Sequence, residues 1–89
     1  MLRITKVTES PSLVTMKLEG TITADWVSLL EKECLKFMEK NRKVVLDFSE
    51  VTFVDRRGVE MLGKMPDKKI RVINCCALIK DLLRGGRNR

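Results

Sequence analysis

The stretch Val44 to Leu62, VVLDFSEVTFVDRRGVEML, holds two apolar runs that end abruptly at a charged corner. Val44, Val45, Leu46 and Phe48 form a continuous apolar run, which suits a strand covered on both faces. A tight connection then leads to the second run, Val51, Phe53 and Val54. At Asp55-Arg56-Arg57-Gly58 the pattern changes to that of a helix start. Aspartate favours this position because its carboxylate accepts hydrogen bonds from the free amides of the first turn. The remaining segments can be read as covering this unit or presenting its corner.

Ahead of it, residues 2–8 (LRITKVT) are rich in β-branched residues and read as a strand, with Leu2 and Ile4 on a face that Val7 leaves. Glu9-Ser10-Pro11-Ser12 is a turn signal. Val14, Met16 and Leu18 then alternate with Thr15, Lys17 and Glu19, the pattern of a strand with one buried face. The two strands make an antiparallel hairpin, and Gly20 ends or bends the second. A helix from Ala24 to about Lys40 follows, with Thr23 as N-cap and Asp25 in its first turn. Its stripe is Val27, Leu30, Cys34, Phe37 and Met38, widened by Trp26 and Leu29. Asn41 ends it.

After the corner, Gly58 to Met65 reads as a short helix with Val59, Leu62 and Met65 spaced three apart, weakened by Gly63 and stopped by Pro66-Asp67. Ile70 to Ile73 is a strand closed by Asn74. Ala77 to Leu83 is a last helix with Leu78, Leu82 and Leu83 inward, ended by Gly85-Gly86. Helices alternating with strands after the opening hairpin imply largely parallel pairing. The expected fold is α/β, a small mixed sheet with helices packed against it. Residues 1–86 form one domain, and residues 87–89 are a flexible basic tail.

Charge divides the chain unevenly. Residues 1–55 hold eight Lys/Arg against nine Asp/Glu, whereas residues 56–89 hold ten against three, for a total of +6. The basic part is either an electrostatic footprint for an anionic partner or a solvated surface. With one Trp, three Phe and no Tyr the chain has little with which to stack bases, so no nucleic acid is expected. No run of 18 apolar residues is present, so no membrane insertion is expected, and MLRITKVTES lacks the apolar core of a secretion signal. Cys34, Cys75 and Cys76 read as reduced thiols in a cytoplasmic protein, Cys34 as core.

The sequence offers little to a catalyst. It has no histidine, no glycine-rich phosphate loop, no Cys-x-x-Cys pair and no nucleophile elbow. Asp47, Glu50 and Asp55 are spread along a short stretch, and Asp47 suits a connection that it holds by bonding nearby amides. No enzyme, cofactor or metal site is expected. The helix start is the place of interest, because free amides and the dipole there welcome anions. Arg56 and Arg57 gain nothing for the isolated helix at that end. They either point into water or offer two planar, multi-donor guanidinium groups to an acidic partner.

The unit Leu46-Asp47-Phe48-Ser49, Val51, Phe53, Val54, Asp55 and Gly58 resembles the signature of STAS domains (sulphate transporter and anti-sigma-factor antagonist). Element order agrees with that family over nearly the whole chain. The resemblance implies a bacterial, cytoplasmic regulatory or signalling module that works by protein–protein interaction. In the antagonists, a serine or threonine at the corner is phosphorylated by a partner anti-sigma-factor kinase. Both positions between Asp55 and Gly58 are arginine here. Asp47, Ser49 and Thr52 belong to the motif stretch, but neither hydroxyl holds the switch position. The expected partner-binding residues are Asp55, Arg56, Arg57 and Gly58. The expected partner is a cytosolic protein, either an anti-sigma kinase or the ATPase of a lipid ABC-type transport complex to which the chain is an accessory subunit. The helix after the corner is shorter than is usual in the family.

Overall fold

Alternation in Val14, Met16 and Leu18 produces the strand it promises, β2 (Leu13–Ile22), with these three side chains buried and Thr15, Lys17 and Glu19 half-exposed. The computed structural model describes residues 1–66 and 68–87. Before β2 lies β1 (Leu2–Glu9), and after it come α1 (Asp25–Met38), β3 (Lys43–Val54), α2 (Arg56–Lys64), β4 (Ile70–Ile73) and α3 (Ala77–Arg87). The strands form one sheet in the order β1-β2-β3-β4. β1 and β2 pair antiparallel, while β2–β3 and β3–β4 pair parallel. This is the mixed α/β sheet that the order of elements predicts.

β3 departs from expectation in two ways. It is one continuous 12-residue strand, not two runs joined by a tight connection. The break in the apolar pattern comes from bulges. Register with β2 moves from Lys17↔Asp47 to Glu19↔Glu50, and from Gly20↔Val51 to Thr21↔Phe53, so β3 gains one residue at each place. Each extra residue inverts the alternation that follows. The buried positions therefore fall at Val44, Leu46, Phe48, Val51 and Val54, and Phe53 is left 50% exposed.

β3 is also covered on one face only. Val45 and Asp47 are half-exposed between buried neighbours. The apolar faces of the helices pack into the same core as the buried side of the sheet, around Phe48, Met16, Leu18, Leu30 and Leu46. The opposite face of the sheet, with Thr15, Lys17 and Asp47, is left to water.

On α1 the stripe of Val27, Leu30, Cys34, Phe37 and Met38 is buried as read, Trp26 is half-buried, and Leu29 faces solvent. Burial pushes the Cys34 thiol up to about 12, the value of a packed, inert side chain. Smaller expectations also differ from the structure. Gly20, expected to end or bend the second strand, does not end β2 and stands at a register shift against β3. It sits in the strand at φ 104, where a Cβ would lie 2.3 Å from the Met1 carbonyl oxygen. Thr23 is not the cap of α1; Ala24 holds that position at φ 49 with no side-chain cap. α3 runs through Gly85-Gly86 to Arg87, so these glycines do not end it; residues 88–89 of the expected tail lie outside the described residues. On α3, Ile79 is buried and Leu83 partly buried, whereas Leu78 is 73% exposed; the Leu82 side chain lies outside the described residues.

Candidate functional site

The corner forms where β2 and β3 end side by side. The Asp55 amide donates to the Ile22 carbonyl at 3.0 Å, which carries the strand pairing one residue past Val54. Asp55 itself is extended (φ −83, ψ 178), the backbone of an N-cap. Its Oδ1 accepts the Gly58 amide at 2.9 Å, and its Oδ2 accepts the Ala24 amide at 3.0 Å. One carboxylate thus caps α2 and also holds the strained residue that opens α1. The bonds from the Ala24 and Gly58 amides, helped by the nearby Arg57 charge, hold the Asp55 carboxyl below its ordinary value of 3.8.

Gly58 is buried, and its role is one of approach. A Cβ there would lie 2.7 Å from Val54 Cγ1 and 3.2 Å from the Ile22 carbonyl oxygen. The first turn of α2 can settle on the strand ends because nothing projects from this position. Arg56 and Arg57 occupy the outward side of the same turn. The Arg56 side chain is 92% exposed and reaches Glu60 one turn on, Nε to Oε2 at 3.5 Å. An exposed pair of that length adds little to stability. Phe53, two residues before the cap on β3, is 50% exposed.

The other motif residues do structural work further back along β3. Asp47 Oδ1 accepts the Ser49 amide at 2.9 Å, closing the first bulge, and the Asn74 side chain at 3.2 Å. These bonds hold the Asp47 carboxyl below its ordinary value. Asn74 stands at φ 56 just past β4, so Asp47 ties the end of β4 to the middle of β3. Thr52 donates its hydroxyl to the Gly20 carbonyl at 3.2 Å, bridging the second bulge to β2. Ser49 is exposed and contributes its amide.

Of the seven residues singled out from sequence, Asp55 and Gly58 shape the corner, Arg56 and Arg57 face outward, and Asp47, Ser49 and Thr52 serve the bulges. Sequence reasoning missed Ala24, Asn74 and Phe53. Asn74 carried a signal, since asparagine tolerates the left-handed region. Ala24 carried none, and Phe53 was hidden by the bulge. Among the described residues, no three His, Cys, Asp or Glu side chains come together as metal ligands.

A family model described as "Mlab, STAS domain" matches residues 5–83, nearly the whole chain and all of the corner. The chain belongs to this family. A STAS fold is also what a solved structure shares with it. The structure of the anti-sigma factor antagonist SpoIIAA in its unphosphorylated form superposes with a TM-score of 0.71, covering 94% of this chain and 84% of that one. Identity is 16%, so this likeness concerns the fold alone. No curated protein sequence matches the chain. In this STAS domain the two positions between Asp55 and Gly58 are Arg56 and Arg57, held on the strand–cap–helix frame described above.

Proposed function

We propose that this STAS domain is a non-enzymatic interaction module that docks a cytosolic protein through the start of α2 and has no phosphorylation switch at that corner. The observation that carries this reading is the pair Arg56 and Arg57, exposed on a turn whose flanking residues Asp55 and Gly58 are engaged in the fold. Arginine is enriched where protein interfaces concentrate their binding energy. Two guanidinium groups ask for carboxylates on the partner, in bidentate pairs where geometry allows. A permanent charge at the switch position makes the contact constitutive. Asp55 and Gly58 contribute by keeping the turn in place.

The test is the double reversal Arg56→Glu, Arg57→Glu, measured by titration against the partner identified by affinity capture. Acidic residues in the first turn of a helix are favoured by the dipole. This offsets the loss of the exposed Arg56–Glu60 pair, so the variant should keep its fold, checked by circular dichroism, and a loss of binding then reads as a loss of contact. The expected loss is roughly 100-fold or more, the scale for breaking charge pairs buried at an interface. Unchanged affinity in a folded variant rejects docking at this corner.

A second reading is an accessory subunit of a membrane transport complex, seated on its ATPase. It is favoured by the matched family model, which is described by the name Mlab and not as an antagonist, and by the corner that lacks a hydroxyl. The identity of the captured partner separates the two: an anti-sigma kinase supports signalling, a transporter ATPase supports transport.

A further inference from the structure

The starts of β2, β3 and β4 lie together at the opposite end of the sheet from Asp55, because these three strands are parallel. Two backbone bonds stitch them into a row. The Lys43 amide donates to the Ser12 carbonyl at 2.9 Å, and the Val44 amide to the Lys69 carbonyl at 2.8 Å. α1 and α2 both end here, since each returns from the corner to the start of the next strand.

Lysines converge on this row from both connections. Lys36, Lys40, Lys43, Lys64 and Lys68 are exposed and Lys69 is half-buried. Lys36 and Lys64 lie in last helical turns, where cations balance the dipole. Lys40, Lys43, Lys68 and Lys69 lie beyond the helices, and dipole compensation gives no reason for them. Among the described residues, acidic side chains adjoin them at Glu39, next to Lys40 along the chain, and at Glu9, which meets Arg42. Glu9 is already satisfied, with Lys6 at 2.8 Å on one oxygen and Arg42 on the other. The hairpin turn at the edge of the row presents exposed Pro11 and Leu13, the latter 37% exposed.

We propose that this lysine-lined end of the sheet, with the Pro11–Leu13 turn at its rim, docks onto the anionic headgroup surface of a lipid bilayer. Clustered lysines beside a small apolar tip match such a surface, where charge attracts and the tip enters the headgroup layer. Nucleic acid fits less well, because the aromatic side chain at this end, Phe37, is buried and offers no stacking face. The docking surface lies at the far end of β3 from Arg56 and Arg57. Partner binding at the corner and membrane contact here are therefore compatible, and this proposal does not depend on the partner.

Flotation of the full chain with vesicles of mixed phosphatidylglycerol and phosphatidylcholine, against phosphatidylcholine alone, tests it. The chain should float with the anionic vesicles only, and progressively less between about 50 and 300 mM salt as charges are screened. Each basic residue near an anionic leaflet multiplies binding roughly fivefold. The exposed triple variant Lys40→Gln, Lys43→Gln, Lys68→Gln should accordingly lose roughly 100-fold with its circular dichroism unchanged. Leu13→Ser should weaken flotation as well, and Arg56→Glu, Arg57→Glu should float like the parent. The proposal is overturned by no flotation at low salt, by a folded triple variant that floats like the parent, or by equal loss in the corner variant. Binding to a DNA duplex at lower concentration than to vesicles overturns it too.

Discussion

Asp55 illustrates how one side chain can serve two elements that are 31 residues apart. Each carboxylate oxygen accepts one backbone amide, so removing the side chain leaves two donors without their partner. Loss of an N-cap costs about 0.5–2 kcal/mol, and a second amide bond is worth about 1 kcal/mol more. Asp55→Ala should therefore lower stability by about 1–3 kcal/mol in urea denaturation. Asp55→Asn separates the two duties. Asparagine caps helices about as well as aspartate, but its amide nitrogen cannot accept the Ala24 N–H. It should cost about 1 kcal/mol, less than alanine and more than nothing. An alanine variant with the parent midpoint would contradict the double role. Ala24 matters here because a non-glycine residue at φ 49 is strained, and the Asp55 bond is what holds it in place.

At the scale of elements, the seat of α2 on the sheet depends on Gly58. A methyl group there meets Val54 and Ile22 well inside contact distance, and the Ile22 carbonyl cannot move without disturbing strand pairing. Gly58→Ala should cost about 1–3 kcal/mol, the usual range for overpacking, although alanine is the better helix former. A neutral or stabilising result would show that α2 can lift off the strand ends freely. The elements themselves were largely legible in the sequence: the α1 stripe, the β2 alternation, the Asp55 cap and the stop at Pro66 each follow from local chemistry. What escaped was phase. Periodicity arguments assume an unbroken count along a strand, and β3 breaks its count twice, which hid the exposure of Phe53 and made one strand look like two. The uninterrupted run Val44–Leu46 similarly suggested two covered faces, where the fold supplies helices to one. Of the candidate site, the arginines and the cap were readable. Their long-range partner Ala24 was not, because nothing local to it signals a bond across 31 residues.

Across the whole molecule, the carboxylates among the described residues whose ionisation the fold favours all stand at joints between elements. Glu9 meets Arg42 and so ties β1 to the connection between α1 and β3. Asp47 ties β3 to the end of β4 through Asn74, and Asp55 ties α2 to the start of α1. Each is held below its ordinary value: Glu9 by bonds from Lys6 and Arg42, Asp47 by those from Ser49 and Asn74, Asp55 by those from Ala24 and Gly58. In the unfolded chain these groups take up protons at higher pH than in the folded one, so stability must rise with pH across that window. Their contribution is complete above the unfolded values of 3.8 for aspartate and 4.5 for glutamate, and is lost as pH falls through the lower folded values. Glu9 is solvent-screened and should contribute least. No histidine is present to titrate near neutrality. The urea midpoint should therefore stay level between about pH 6 and 7.5 and fall steadily below about pH 4.5. Asp55→Asn and Asp47→Asn should each flatten that acid limb, because they remove the proton uptake along with the bond. A midpoint that holds level down to pH 3, or an acid limb unaltered in both variants, would mean that these joints do not govern the response of the fold to acid.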